Sequence, residues 1–293
     1  MPLFDLSKSL LVPKPSKYEY DLARLGLTHE TLLGHYRREN ADRILESHRR
    51  QRGMRARARA LLPEARLVER ERVTASDVRA ASLVVSLGGD NHFIYLSHLC
   101  VETPLLGIKS DSLRSHGGLL PVDEANLDEA VASLREGRVA VERWTRIEAR
   151  VDGAEAPPAA SEIFLGEERR RDISRHVLVP PGLPDTGGEE QKGSGLLVTT
   201  GAGSTGFAGC YLAPFDRQAP EARWVLTEPF PRNTAYRARE GTLRRGETLT
   251  VRSRNDASGV LTCDCLKDIP FPYAAVATVR LSDRPLNVVR PAT

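Results

Sequence analysis

The chain has 293 residues, enough for about two domains that each bury a core. Its 42 basic and 39 acidic residues leave a formal net charge of +3, so the whole molecule carries no strong electrostatic signal for nucleic acid or a membrane surface. Four scattered cysteines are too few for a disulfide framework, and Cys263-x-Cys265 has no second pair to complete a zinc site. We therefore exclude a disulfide-rich secreted scaffold and expect reduced thiols in a cytoplasmic protein.

The first residues lack the charged, apolar and small-residue order of a secretory signal. Asp5, with no early arginine, argues against a transit peptide. No uninterrupted apolar run is long enough to span a bilayer, so no membrane partner is expected.

The first part of the chain alternates strand-like and helix-like segments, which predicts an α/β, doubly wound parallel sheet with helices on both faces. A polar helical stretch is expected from about residue 28 to 62. Residues 83–87 and 104–108 are nearly continuous apolar runs, typical of central strands. Ligands of such sheets bind at the carboxyl ends of strands, and the sequence Gly88-Gly89-Asp90 stands at one such end.

A further helix is predicted over residues 123–138, with acidic residues in its first turn and arginines near a glycine stop. Short β-rich runs between Gly, Pro, Asn and Asp turns follow it, so the second part is predicted to be a β-rich domain. We expect the boundary near residues 118–140 and divide the chain into 1–120, a nucleotide-binding α/β domain, and 121–293. The C-terminal end of the chain is expected to be able to pack back on the first domain.

Two further segments are notable for their composition. Residues 180–195 predict a loop. The arginine-dense region 37–72 is either a basic patch for an anionic partner or a solvated helix face. The interleaved glutamates and aspartates favour the solvated face, and no nucleic-acid partner is expected.

Two glycine-rich loops follow strands and place backbone N–H groups where they could approach phosphates. The first contains Gly88, Gly89 and Asp90, and the second is "TTGAGSTGFAG" at 199–209. Each loop alone is weak evidence, because a tight turn is the commoner explanation of "GGD". The pair is a stronger indication of a phosphate site.

Five motifs follow one another in order: "GGD" (88–90), "PLLGIKSDSLRSHGGLL" (104–120), "SEIFLGEERRRDISRH" (161–176), "KGSGLLVTTGAGSTG" (192–206) and "CDCLKDIPFP" (263–272). Their order and spacing resemble the ATP-NAD kinase family over nearly the whole chain. The opening "PKPSKYEYDLARLGL" (13–27) is similar to the branch that includes the mitochondrial NAD kinase of animals.

This resemblance implies an active site between an α/β domain and a β-rich, dinucleotide-binding domain. Members of the family transfer the γ-phosphate of ATP to the 2′-hydroxyl of the adenosine ribose of NAD, with Mg²⁺ bound through the phosphates and no metal held by side chains. They are commonly homodimers or homotetramers. Asp90 would orient or deprotonate the ribose hydroxyl. The phosphate environment would be formed by Gly88, Gly89, Gly201, Gly203 and Ser204.

The resemblance also implies contacts to the acceptor. Glu162 matches the acid of the family's Asn-Glu pair, which contacts the ribose and nicotinamide portion of the dinucleotide. Thr205 and Gly206 match acceptor contacts. Asp264 matches an Asp-Gly step, although a turn aspartate that binds its own backbone is an equal explanation.

The chain departs from the family at several motif positions. Asn91 and His92 stand where "GGDGT" has Gly and Thr, so the variant motif is "GGDNH". Ser161 replaces the asparagine of the Asn-Glu pair, Lys109 replaces the asparagine of a "GIN" step, and Ser194 replaces an aspartate of bacterial members. These changes leave Asp90 in place, which suggests a different acceptor or altered use of the donor.

The departures leave alternatives open. His92 either supplies charge to a donor phosphate or is a structural histidine at a helix start. Lys109 either neutralises phosphate or is an ordinary surface lysine. Arg114 and residues 169–171 either collect a phosphate or are solvated surface.

The predicted function is an NAD kinase-like phosphotransferase that produces NADP. One alternative is the same chemistry on another nucleotide or nucleoside-like acceptor. The other is a catalytically silent regulator that binds a dinucleotide.

Overall fold

The computed structural model describes residues 3–114, 117–169, 171–230, 236–256 and 258–292. The chain divides into two compact units. The first unit comprises Met1–Glu142 together with Asn287–Thr293, and the second unit comprises Arg143–Leu286.

Within the described residues, the α-helices all lie in the first unit: α1 (Lys17–Leu25), α2 (His29–His35), α3 (Arg38–Leu61), α4 (Ala75–Ala80), α5 (Asp90–Ser97) and α6 (Leu127–Glu136). The β-strands are β1 (Ser9–Pro13), β2 (Arg66–Leu67), β3 (Leu83–Gly88), β4 (Leu105–Lys109), β5 (Val139–Trp144), β6 (Ile147–Val151), β7 (Ala154–Glu155), β8 (Glu162–Glu167), β9 (Ser174–Val179), β10 (Glu189–Gly193), β11 (Gly195–Thr199), β12 (Glu221–Thr227), β13 (Glu240–Arg244), β14 (Leu249–Ser253), β15 (Gly259–Cys263), β16 (Lys267–Pro270), β17 (Val276–Leu281) and β18 (Leu286–Pro291).

The first unit contains a six-stranded sheet in the order β2-β1-β3-β4-β18-β5. Strand β1 pairs in parallel with β2 and β3, and β4 pairs in parallel with β3 and β18. Every residue of β3 is buried, as expected for a central strand covered on both faces. This parallel sheet with its helices confirms the α/β class predicted for the first part of the chain.

The predicted helical stretch from residue 28 to 62 is interrupted. Tyr36 ends α2 in an extended conformation, and α3 begins two residues later at Arg38. The Tyr36 hydroxyl donates a hydrogen bond of 2.6 Å to Oδ2 of Asp21 on α1. A contact with a neighbouring helix therefore stabilises a break that helical periodicity does not reveal.

Helix α6 is shorter than the predicted 123–138 and begins at Leu127. Just before α6, the side chains of Asp123 and Asn126 accept hydrogen bonds from the backbone. The Asp123 N–H donates to Asn126 Oδ1, and the Ala125 N–H donates to Asp123 Oδ1. Such local bonds compete with helix formation. The buried face of α6 joins the core of the first unit, so this unit extends beyond residue 120.

Several arginines of α3 form ion pairs. Arg50 binds Asp111, Arg52 lies 3.4 Å from Glu19, and Arg55 pairs with Glu69. These pairs favour the interpretation of the segment as a charged helix face. No helix among the described residues combines the length and apolar character needed to cross a membrane.

The second unit is built from two six-stranded sheets, in the orders β10-β9-β14-β17-β6-β7 and β13-β12-β11-β8-β15-β16. The pairings within both are antiparallel, and apolar side chains of both sheets form one shared core. Along β8, Ile163 and Leu165 belong to that core. Because side chains alternate along a strand, Glu162 and Phe164 lie on the opposite face. The β-rich prediction for the second part is confirmed.

One prediction for this part was wrong. Residues 180–195 were expected to form a loop, but β10 pairs with β9 from Glu189 to Gly193. Gln191 explains the pairing, because its side chain is buried and binds His176 and the Ala238 carbonyl. The residues of β10 are polar or glycine, so the sequence has no apolar pattern that would predict this strand.

Candidate functional site

The first unit contains an open cavity of about 310 Å³ beside the ends of β1, β3 and β4. We call it the Asp90 cavity. Its lining residues are Lys14, Gln51, Gly88, Gly89, Asp90, Asn91, Ser110, Asp111, Arg114 and Gly117. The position at the carboxyl ends of parallel strands is the one where ligands of such sheets bind.

The "GGD" sequence joins β3 to α5 at this cavity. Gly89 is the N-cap residue of α5, without a side-chain cap, and Asp90 is the first helical residue. Asp90 Oδ1 accepts a hydrogen bond of 3.4 Å from the Leu119 N–H. The positive end of the helix dipole therefore lies beside the cavity, where it favours anions and an ionised carboxylate.

Two cationic side chains, Lys14 and Arg114, line the Asp90 cavity. Desolvation, and next the nearby Arg70 guanidinium, lower the pKa of Lys14 from its usual value. An anion beside Lys14 would offset both effects. The cavity thus offers two cations, a helix N-terminus and the Asp90 carboxylate in the same place.

Asp111 is held by α3. Its carboxylate accepts hydrogen bonds from Arg50 Nε at 2.8 Å and from Ser47 Oγ at 2.6 Å. Burial alone would raise the pKa of Asp111, but the bonds from Arg50 and Ser47 hold it below the usual value. This network stabilises the segment that follows β4 and carries Arg114.

His92 does not line the Asp90 cavity. Its side chain is fully buried, and Nε2 lies 2.9 Å from the Val12 carbonyl oxygen, to which it donates. Burial is the main reason why the pKa of His92 is lowered to about 4. A Cβ on Gly88 would lie 2.8 Å from the imidazole, so glycine makes room for the ring. These contacts favour the structural explanation of His92 over the alternative that it supplies charge to a phosphate.

Lys109 is also absent from the residues that line this cavity, whereas Lys14 is present. Lys14 directly follows β1, which is parallel to β3 and its neighbour in the sheet. Lys14 therefore reaches the cavity for the same topological reason as Asp90. Lys14 was not predicted as a site residue, because a lysine after a strand is not a motif.

The second unit contains a cavity of about 240 Å³ on the outer face of the sheet that includes β8. We call it the glutamate cavity. Its lining residues are Glu162, Phe164, Glu167, Glu168, Ser194, Phe207, Thr227, Glu228, Thr262 and Cys265. Glu162 and Ser194 were predicted to contact the acceptor, and the structure places both on this cavity. The alternation of Glu162 and Phe164 along β8 could have indicated this face.

Glu162 is buried, with 8% of its surface exposed, and its Oε2 has no hydrogen-bond partner among the described residues. Desolvation, followed by the negative charge of Asp264, raises the pKa of Glu162 to about 7. The Cys265 thiol donates to Oε1 at 3.8 Å. Burial, and next Glu162, raise the pKa of Cys265 to about 11, so this thiol remains protonated near neutral pH.

Asp264 acts on the backbone and does not line the glutamate cavity. Its carboxylate accepts hydrogen bonds of 2.8 Å from each of the N–H groups of Ala160, Ser161 and Glu162. From the sequence, a ligand contact and a bond to its own turn were equal explanations of Asp264. The structure shows a third arrangement, in which Asp264 fixes the segment that carries Glu162.

The second glycine-rich loop is closely packed. A Cβ on Gly201 would lie 2.1 Å from the Asp216 carbonyl oxygen, and one on Gly203 would lie 2.4 Å from the Ser161 carbonyl oxygen. Ser204 is fully buried and donates to the Gly201 carbonyl at 2.7 Å. The structure thus shows a packing role for these three residues, and their contribution to a phosphate environment stays a prediction.

Other predicted positions remain accessible. Thr205 and Gly206 are exposed, and Ser161 is partly exposed. Of the arginines at 169–171, Arg170 lies outside the described residues, and Arg171 lies 3.9 Å from Asp172. Two residues of the motif at 104–120, at positions 115 and 116, also lie outside them.

In the part of the chain that the structure describes, no group of three or more His, Cys, Asp or Glu side chains is placed to hold a metal ion. The carboxylates at the Asp90 cavity are those of Asp90 and Asp111, and Arg50 already binds Asp111. The donor set therefore fits a metal that arrives bound to phosphates better than one held by a cage of side chains.

Comparison with solved structures shows the fold. An NAD kinase from Archaeoglobus fulgidus, in complex with ATP, superposes with a TM-score of 0.64 at 16% identity, covering 97% of this chain and 93% of that one. A yeast NADH kinase complexed with NADH superposes with a TM-score of 0.66 at 14% identity, covering 100% of this chain and 84% of that one. The chain has the fold of the NAD kinases.

Sequence comparisons agree with that fold. No family model matches. The NAD kinase of Halobacterium salinarum is 30% identical over 127 residues, which are 43% of this chain and 45% of the relative. The NAD kinase of Natronomonas pharaonis is 30% identical over 137 residues, which are 45% of this chain and 49% of the relative. The chain thus spans about half the length of these NAD kinases.

A longer match is found with the NAD kinase of Pyrococcus furiosus, 26% identical over 211 residues, which are 71% of this chain and 72% of the relative. Fold and sequence together support the resemblance to the NAD kinases. The closer likeness to the mitochondrial-type branch stays a prediction.

Proposed function

We propose that the chain is an ATP-dependent phosphotransferase of the NAD kinase type, which transfers the γ-phosphate of ATP to the 2′-hydroxyl of the adenosine ribose of NAD. The observation that carries the proposal is the Asp90 cavity, where a carboxylate, a helix N-terminus and two cations line the same space. The sequence similarity to NAD kinases and the shared fold support it.

In the proposed reaction, Asp90 orients the 2′-hydroxyl and accepts its proton as the oxygen attacks the γ-phosphorus. The bond between that phosphorus and the β–γ bridging oxygen breaks, and ADP leaves. Such transfer depends mostly on positioning and charge neutralisation, so a single carboxylate near the nucleophile suffices.

The donor phosphates are assigned to the Asp90 cavity. Gly88 and Gly89 allow close approach of the backbone, and the Lys14 and Arg114 side chains supply positive charge. Mg²⁺, carried on the phosphates, would add further charge neutralisation when bound, with Asp90 as the carboxylate beside it.

The acceptor is assigned to residues of the second unit. Glu162 and Ser194, both on the glutamate cavity, would contact the dinucleotide. Exposed Thr205 and Gly206 would contribute further contacts, as the resemblance implies. Ser161 offers a hydroxyl where the family has an amide, which reduces the number of possible hydrogen bonds.

The decisive experiment is formation of NADP by the purified chain with ATP, Mg²⁺ and NAD, measured by enzymatic cycling. Asp90→Asn should lower kcat by about 100-fold or more while nucleotide binding, measured by calorimetry, is largely kept, because the change removes a proton acceptor. Asp42→Asn, an exposed change on α3, is the matched control.

Unchanged turnover in Asp90→Asn would remove Asp90 from the mechanism. A folded protein that binds NAD without forming NADP would instead support the silent regulator. Turnover with another nucleotide in a substrate panel, at a higher kcat/KM than with NAD, would support a different acceptor.

We also propose a homodimer or homotetramer located in the cytoplasm. The support for assembly is the resemblance to the family, and the support for location is the pattern of four dispersed cysteines. Sedimentation of the purified chain measures its oligomeric state. Imaging of a tagged chain in its own cells measures its location.

A further inference from the structure

Arg70 follows β2, the strand that neighbours β1. In the parallel pairing of these two strands, Leu11 lies opposite Leu67, and the same register continued by three residues brings position 70 level with position 14. The strands β2, β1 and β3 are parallel neighbours in one sheet. Arg70 therefore stands at the same edge of the sheet as Lys14 and Asp90, where ligands of such sheets bind.

The Arg70 side chain lies against α5. Its guanidinium carbon is 4.2 Å from the centroid of the Tyr95 ring, and the Tyr95 hydroxyl donates to the Arg70 carbonyl at 3.5 Å. Tyr95 lies about one helical turn after Asn91, which lines the Asp90 cavity. Helical side chains are tilted toward the N-terminus of their helix, so the ring holds Arg70 on the side of α5 that leads to the cavity.

Arg70 and Lys14 are two cations without a carboxylate partner. Neither forms an ion pair with any residue that the structure describes, whereas Arg66 of β2 pairs with Asp77. After desolvation, the charge of Arg70 is the next cause of the lowered pKa of Lys14, so the two cations are close enough to repel each other. An anion that contacts both would remove this repulsion.

His92 fixes the elements that carry this pair of cations. Its Nε2 donates to the carbonyl of Val12, two residues before Lys14, so the first turn of α5 is tied to β1. The rings of His92 and Tyr95 are inclined by only 12°, with centroids 6.3 Å apart. The imidazole of the variant motif "GGDNH" thus supports Tyr95 and, through it, Arg70.

We propose that Arg70 is a specificity-determining residue of the donor site, which together with Lys14 binds the β-phosphate of the nucleotide, and that Tyr95 positions its guanidinium. The inference rests on the proposed function, because it takes a nucleoside triphosphate as the donor. Negative charge develops on the β-phosphate when ADP leaves, and two cations held beside it stabilise that charge.

The test is calorimetric titration of the full chain with ADP and with AMP, without NAD. Arg70→Gln should weaken ADP binding about tenfold and AMP binding less than twofold, because AMP has no β-phosphate to lose a charge-assisted hydrogen bond. Arg72→Gln is the control, since it makes the same charge change on an exposed arginine two residues away. It should leave both affinities at the wild-type values.

Two changes of Tyr95 test the positioning of Arg70. Tyr95→Phe keeps the ring beneath the guanidinium and should keep the wild-type affinity for ADP, whereas Tyr95→Leu should weaken it about threefold. Tyr95→Leu added to Arg70→Gln should cause no further loss, because the ring acts through the guanidinium. Urea denaturation of each variant confirms that the chain titrated is folded.

Equal losses of ADP and AMP affinity in Arg70→Gln, or no loss of either, would overturn the β-phosphate contact. A further loss of ADP affinity in the double variant, as large as that caused by Tyr95→Leu alone, would overturn the positioning by Tyr95.

NADP formation separates this inference from the proposed function. If wild type forms NADP and Arg70→Gln changes neither KM for ATP nor the affinity for ADP, the inference fails and the proposed function stands. If wild type forms no NADP with any NAD concentration but Arg70→Gln still weakens ADP binding selectively, the β-phosphate contact stands and the kinase assignment fails.

Discussion

At the scale of single residues, Asp90 depends on Gly117. A Cβ at position 117 would lie 2.0 Å from Asp90 Oδ2, a distance that forces the carboxylate to move. The Leu119 N–H, in the same segment, donates to Asp90 Oδ1. Glycine at 117 therefore permits the position in which Asp90 faces the cavity.

Gly117→Ala should displace Asp90 and lower kcat for NADP formation by about 10- to 100-fold, since misplacement by about 1 Å has effects of that size. Gly53→Ala is the control, because no atom lies within 4 Å of a Cβ there. It should leave kcat unchanged and raise the free energy of unfolding by about 0.5–1 kcal/mol, as glycine in a helix is unfavourable. Equal turnover in both variants would argue against Asp90 as the base.

The two candidate lysines can also be separated. Lys14 lines the Asp90 cavity and Lys109 does not, so Lys14→Met should raise KM for ATP by about tenfold and Lys109→Met by less. Initial rates at varied ATP concentration measure both values. A larger increase in KM for Lys109→Met would show that the ATP phosphates bind beside Lys109, the family's motif position, and not in the Asp90 cavity beside Lys14.

At the scale of elements, the turn between β15 and β16 positions the segment before β8. Asp264 and Cys265 both have positive φ values, 52° and 54°, and the Leu266 N–H donates to the Cys263 carbonyl, as in a type I′ turn. The Asp264 carboxylate, presented by this turn, accepts the three N–H groups of residues 160–162. One hairpin therefore fixes the backbone that carries Glu162.

Asp264→Ala should lower the free energy of unfolding by about 3 kcal/mol, because it leaves buried N–H groups without an acceptor. Urea denaturation measures the loss. Asp268→Ala on the same hairpin is the control: Asp268 is exposed and accepts one bond from Thr262, so the expected loss is about 0.5 kcal/mol. Similar losses for both would contradict the role of Asp264.

At the scale of the whole molecule, three buried groups determine part of the pH dependence of stability. Burial lowers the pKa of His92 and of His176 to about 4, so the native state holds both neutral. Their contribution to stability is lost as the pH falls from about 6.5 to about 4. Glu162 acts in the opposite direction, because its pKa is raised to about 7 and its contribution is lost as the pH rises from about 4.5 to 7.

Glu162→Gln should remove that second loss. Relative to wild type, its free energy of unfolding should rise steadily from pH 5 to pH 7 and reach a difference of roughly 3 kcal/mol above pH 7. Urea denaturation at several pH values measures the difference. A constant difference across that range would show that Glu162 titrates near its ordinary pKa.

The order of elements was largely predictable. Runs such as 83–87 and 104–108 are nearly continuous in apolar residues, and the alternating patterns of the second part identify most of its strands. The bounds of elements that depend on side-chain hydrogen bonds were less predictable. Residues 189–193 form a strand through the contacts of Gln191, and α6 begins late because of Asp123 and Asn126. Composition and periodicity do not report such bonds.

The sequence by itself determined the fold class, the resemblance to NAD kinases and the position of Asp90 at the end of β3, because these follow from local periodicity and ordered motifs. Only the tertiary structure decided the surroundings of each side chain. It buried His92 against Val12, 80 residues earlier, placed Lys14 rather than Lys109 at the cavity, and grouped the glutamates around Glu162. The physical reason is that burial, charge and cavity lining arise from contacts between distant segments, which no local pattern encodes.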